Sequence, residues 1–212
     1  MPLERSRALL GMEMSDLKVE FITQSNLPDW IVDGHPLHTA YPYLSAIHRA
    51  DYLRVYFMHH HGGGYADIKH INNSWLPAWN SLFESEKWAI GYREIGLRGV
   101  AIVPSLNYFK LLFNWKSLIG NCAYIFKPRT PFTTEWLQKS NDFLDNKLSD
   151  LILNPASVPE DYKGKLISGE KSLYPLRWSE LLGNIFHPLC LKYSDMILHD
   201  LPRPNFKVNY DI

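Results

Sequence analysis

Apolar and polar positions follow one another in short runs punctuated by glycine and proline. Residues 18–23, Lys18-Val19-Glu20-Phe21-Ile22-Thr23, form a β-favouring run that stops at Gln24-Ser25-Asn26-Leu27-Pro28, which predicts a first strand and a loop. Beyond Pro36 and Pro42, residues 44–61 contain neither Gly nor Pro. Ile47, Ala50, Leu53 and Phe57, with Tyr56 on the flank, recur there at helical spacing and predict one apolar face. Gly62, Gly63 and Gly64 end that helix, and Tyr65-Ala66-Asp67-Ile68 predicts a very short strand. Residues 88–92 and 99–103 predict a pair of strands joined by a polar loop carrying Arg93, Glu94 and Arg98, and residues 121–126 predict another, broken by Pro128 and Pro131. Thr133 or Thr134 is expected to cap a helix through about Leu148, with residues 178–186 in a later helix. This alternation predicts a layered α/β fold with a mostly parallel central sheet flanked by helices.

The 212-residue length suits one domain over residues 1–212. Residues 1–16 mix charges with short apolar runs and carry no signal-peptide or membrane-span pattern; they are expected to be flexible. Residues 201–212, opening Leu201-Pro202-Arg203-Pro204, read as a tail or as a linker to a further domain. Lys plus Arg equals Asp plus Glu at 22 each, so no global field draws the chain to nucleic acid or an anionic membrane. Partners must be recognised locally. Only Cys122 and Cys190 are present, which excludes a disulfide scaffold or a zinc ribbon and fits a reducing, cytoplasmic setting.

The densest chemistry lies in residues 50–69. Asp51 and Arg54 stand three apart on the predicted helix and share a face. The glycines let the backbone turn sharply and approach a ligand, and Asp67 follows at the end of a short strand, where open α/β sheets place their crevices. An Asp51-Arg54 pair alone reads as a helix salt bridge; followed by Gly62 to Asp67 it reads as a ligand site.

The pattern Asp51-x-x-Arg54, about seven residues, then Gly62-Gly63-x-Tyr65-x-Asp67 resembles the sugar-binding-region glycosyltransferases that carry a DXD motif. Those include initiating mannosyltransferases, capsular polysaccharide synthesis proteins and compact versions in large algal viruses and bacteria. Residues 19–24 are similar to that family's first strand, and residues 121–131 to a later segment. The resemblance implies a GT-A fold and a divalent cation, Mn²⁺ or Mg²⁺, bridging the diphosphate of a UDP-sugar or GDP-sugar. It implies donor contacts at Asp51, Arg54, Gly64, Tyr65, Asp67 and Lys69, with the base held less securely by Thr23 and Gln24. It further implies transfer of a hexose or deoxyhexose to a glycan hydroxyl with retention, Asp67 and Arg54 being catalytic. A catalytically silent nucleotide-sugar or glycan-binding module of the same fold is the alternative.

Lys69 stands where the family has its second aspartate, and an ammonium offers no oxygen to a hard cation. Either Asp67 binds the metal with help from His187, Asp195, His199 or Asp200, the reading preferred on sequence, or Lys69 takes over part of the cation's electrostatic work. His59-His60-His61 point in different directions on a helix and read as structural. The Arg93, Glu94 and Arg98 loop is balanced between a solvated turn and a cover over a diphosphate. Trp178, with Arg177 and Glu180, suits a sugar, although core packing is the plainer reading.

Overall fold

The computed structural model describes residues 3–103 and 107–208. Its helices are α1 (Leu3–Leu10), α2 (Ala46–His60), α3 (Leu76–Phe83), α4 (Asn107–Phe113), α5 (Pro131–Leu153) and α6 (Gly183–Lys192). The strands are β1 (Gly63–Ala66), β2 (Ala89–Arg93), β3 (Ile119–Phe126) and β6 (Ile197–Leu198), with β4 (Leu166–Ile167) and β5 (Glu170–Lys171) forming a separate small hairpin. The main sheet has the order β1-β3-β2-β6. Both β1 and β2 pair antiparallel with β3, whereas β6 pairs parallel with β2.

The expected mostly parallel sheet is therefore corrected to a mixed one. Helix-strand alternation does send β1, β2 and β6 in one direction, but β3 inserts between β1 and β2 in the opposite sense. Period-two alternation along β3 explains why helices cover both faces. Tyr124 and Phe126 pack with Phe132 and Trp136 of α5 and Phe186 of α6, while Ala123 and Ile125 join Trp75, Ala78 and Leu82. Full burial of each large apolar side chain contributes about 1.5–3 kcal/mol.

Two expected strands do not form. Residues 18–23 run outside the sheet with Val19 and Phe21 exposed, so their β propensity finds no partner strand. Residues 100–103 follow a 3-10 turn at Leu97–Gly99; Val100, Ala101 and Val103 are buried, but Ala101 N donates to His187 Nδ1 rather than to a ladder. Two helix starts also move. Thr130 caps α5 by accepting from Thr133 N, with Pro131 in the first turn, where its missing donor is harmless. Residues 178–182 are turns, and α6 begins at Gly183.

Both ends of the described chain are packed. Ala8 and Met12 are buried, Leu201 N donates to Gly91 O, and Phe206 packs against Tyr92. No helix among the described residues is long and apolar enough to cross a membrane.

Candidate functional site

α2 turns a different face inward from the one its apolar spacing predicts. His48, Asp51, Tyr52, Arg54, Val55, Tyr56 and Met58 are buried, whereas Ala50 is exposed and Ile47, Leu53 and Phe57 are only partly covered. Tyrosine bodies bury as well as aliphatic chains when their hydroxyls find partners. Tyr56 Oη donates to His35 O, and Tyr52 Oη donates to Asn141 Oδ1. This rotation carries Asp51 and Arg54 to the end of the sheet where β1 finishes and β3 starts.

There Arg54 is clamped from several sides. Its Nη2 lies 3.3 Å from Asp51 Oδ1 and 4.0 Å from Asp67 Oδ1, and its Nη1 donates to Asn121 O at 3.0 Å. The guanidinium lies 4.2 Å from the centre of the Tyr65 ring, which in turn stacks on Tyr124. Tyr65 Oη donates to Asp67 Oδ1 at 2.8 Å, and Lys69 Nζ donates to Asp67 Oδ2 at 2.7 Å. Arg54 Nε, Asn121 Oδ1 and Tyr124 Oη are buried without a hydrogen-bond partner. Buried polar atoms are seldom left so, and such a cluster marks either stored strain or a ligand's place.

These groups open into a cleft of about 450 Å³ whose lining includes Asp51, Arg54, Asp67, Arg98, Asn121, Cys122, Trp178 and Ser179. That volume suits a small-molecule site. Arg98 arrives on the turn before Val100 and is exposed, with no ion pair or hydrogen bond among the described residues. Trp178 is 56 % exposed at the rim and meets Tyr162 edge-on, so it is not a core residue. On sequence Asn121 is only the start of a predicted strand, and Ser179 only a member of the polar and aromatic run around Trp178.

Not every expected donor residue is here. Gly64 sits in the ladder opposite Ile125, against the Trp75 ring, and does not line the cleft. Thr23 and Gln24 lie in an exposed turn that Asn26 and Ser25 close by bonding Thr23. Lys69 stands behind Asp67 rather than in the cleft lining. Arg93 bonds Lys116 O, and Glu94 is buried 3.8 Å from His187. Arg177 and Glu180 bond locally, with Arg177 N donating to Glu180 Oε2.

A hard divalent cation does not fit this donor set. Both oxygens of Asp67 are already engaged, by a phenol and an ammonium, with a guanidinium alongside. None of the helpers expected on sequence lines the cleft: His187 accepts from Ala101 N, His199 Nε2 meets Ser117 O, and Asp195 and Asp200 are exposed outside it. Among the described residues no three His, Cys, Asp or Glu side chains gather as a metal set. In the histidine run, His61 Nε2 bonds Trp30 O and His60 packs on Tyr56, so both serve packing.

The two carboxylates titrate apart. Burial pushes Asp51 up to about 6 against the pull of Arg54, and Asp67 repels it further. Burial also raises Asp67, but Arg54 and Lys69 outweigh it and hold Asp67 below the usual carboxylate range. An acid raised on folding binds more protons in the native state, so its stabilising contribution is present at low pH and is lost as pH rises from about 4 through 6. The stability of wild type relative to Asp51→Asn should accordingly fall by on the order of 3 kcal/mol across that window. Urea unfolding of both proteins at several pH values measures it, and a difference that stays flat would mean Asp51 is not the titrating buried acid.

Comparison with models of known families, with curated proteins and with solved structures gives no match for this chain, so what the site does rests on its own residues.

Proposed function

We propose that the chain is a glycosyltransferase that moves a hexose or deoxyhexose from a UDP-sugar to a hydroxyl acceptor in this cleft, within a GT-A-like arrangement. The observation that carries the reading is the meeting of Asp51, Arg54, Asp67 and Arg98 around one cleft, with Trp178 exposed at its rim. In such a transfer the anomeric C–O bond breaks and its electron pair leaves with the nucleoside diphosphate. The acceptor oxygen forms the new bond and its proton passes to the oxygen of the departing diphosphate.

Positive charge fixed beside the departing phosphate lowers that barrier. Arg54 and Arg98 supply it, with Arg54 held rigid by its stack on Tyr65 and its carboxylate partners. Lys69 cancels the charge of Asp67 from behind, so the cleft does not repel a diphosphate. Asp51 is the carboxylate proposed to accept from sugar hydroxyls, and the exposed Trp178 ring offers a face for a pyranose. Thr23 and Gln24 lie outside the cleft and have no part in this reading.

One observation favours the second reading, a silent nucleotide-sugar or glycan-binding module: the Lys69-Asp67 pair occupies the position where the resembled family holds its metal. UDP release from a panel of UDP-sugars, in chelator and in Mn²⁺, separates the two. Repeated turnover in chelator is the expected result. Saturable binding with no release from any donor, in either condition, would leave only the binding module.

A further inference from the structure

An apolar groove of about 410 Å³ adjoins the cleft. Leu97, Arg98, Val100 and Ile102 from the turn and Tyr108 and Leu112 from α4 line it. Five of the six are apolar, and Leu97 and Ile102 stand 55 % and 72 % exposed. Arg98, Val100 and Ile102 line the cleft as well, so groove and cleft adjoin along this turn. At the junction sits Arg98, a cation with no ion pair among the described residues.

Large apolar side chains left in water at a concave site mark a binding surface. A molecule reaching from one into the other would be apolar at the α4 end and hydroxylated or anionic at the Arg54 end. We infer that the acceptor is an amphiphile, its hydrocarbon chain in the Leu97–Leu112 groove and its hydroxylated head in the cleft. The word acceptor rests on the transferase reading; the amphiphile site itself does not. A concave groove beside a cleft that holds Arg54 and two carboxylates suits a single chain with a polar head. A bilayer surface would instead be met by protruding side chains. Because Phe109 and Phe113 are exposed on α4, the test includes vesicles.

The experiment is calorimetric titration of the full chain with maltose and with hexyl, octyl and decyl maltoside, each kept below its micelle concentration and without donor. Affinity is expected to rise roughly fourfold per added CH₂, with maltose much the weakest. Leu97→Asn and Ile102→Asn, both at exposed positions, should weaken octyl maltoside at least about tenfold, while Leu166→Asn on the distant hairpin should not. Absence of chain-length dependence overturns the inference. So does dependence that survives both groove variants, or adsorption to phosphatidylcholine vesicles without binding of monomeric maltosides. Self-association that the variants relieve while maltoside binding stays unchanged would assign the groove to a second copy and overturn it too. If chain-length dependence holds but no nucleotide sugar is turned over, the amphiphile site stands and the transferase reading alone fails.

Discussion

Arg54→Ala is expected to cost roughly 3–5 kcal/mol of stability and to abolish donor binding, because it strands the buried Asp51 carboxylate, whereas Asp67 keeps Lys69 and Tyr65. The sequence places Asp51 and Arg54 as an i, i+3 helix pair whose removal would leave the fold intact. The structure instead leaves Arg54 8 % and Asp51 4 % exposed, which turns the pair from a surface bridge worth tenths of a kcal/mol into a buried one. Arg54→Lys keeps the charge and should recover most of the stability. It cannot keep the planar stack on Tyr65 together with the bond to Asn121 O, so donor affinity should stay low. Thermal unfolding with nucleotide titration of both variants checks this. An Arg54→Ala protein of near-normal stability would mean Asp51 is compensated elsewhere.

Arg98→Ala is expected to reduce transfer about a hundredfold, on the order of 2.7 kcal/mol of lost transition-state stabilisation, with the fold unchanged because the side chain is exposed. Added Mn²⁺ should not restore it, since Asp67 remains paired with Lys69. Lys69→Asp behaves differently. It replaces the ammonium with oxygen ligands next to Asp67, and Mn²⁺ binding should appear where wild type has little. Turnover of the panel with and without metal measures both effects. Full rescue of Arg98→Ala by Mn²⁺ would return the leaving-group charge to a cation at Asp67.

What was legible in the sequence follows from how local each feature is. β2 and β3 were found because residues 88–92 and 121–126 are β-favouring runs that the core also needs. The run at 18–23 has the same propensity but no neighbour to pair with, and pairing is a tertiary fact. Strand direction failed similarly: alternation fixed the shared sense of β1 and β2, but nothing local says that β3 enters between them. Spacing singles out Asp51, Arg54 and Asp67, and the structure brings the three together, since a helix turn and a glycine turn leave few places for them. Arg98 and Trp178 reach the same cleft from loops distant in sequence, where exposure and direction decide the role, and neither is written in residue type.

In the proposed function the Asp51-Arg54-Asp67 cleft takes a nucleoside diphosphate through Arg54 and Arg98. Calorimetric titration of UDP into wild type and Arg98→Ala, in chelator and again in Mn²⁺, tests it most directly. The expected result is saturable one-to-one binding to wild type that is nearly the same in both conditions, weakens with salt, and drops at least about tenfold in Arg98→Ala. No binding of UDP to wild type in either condition, or binding that Arg98→Ala leaves unchanged, would contradict it.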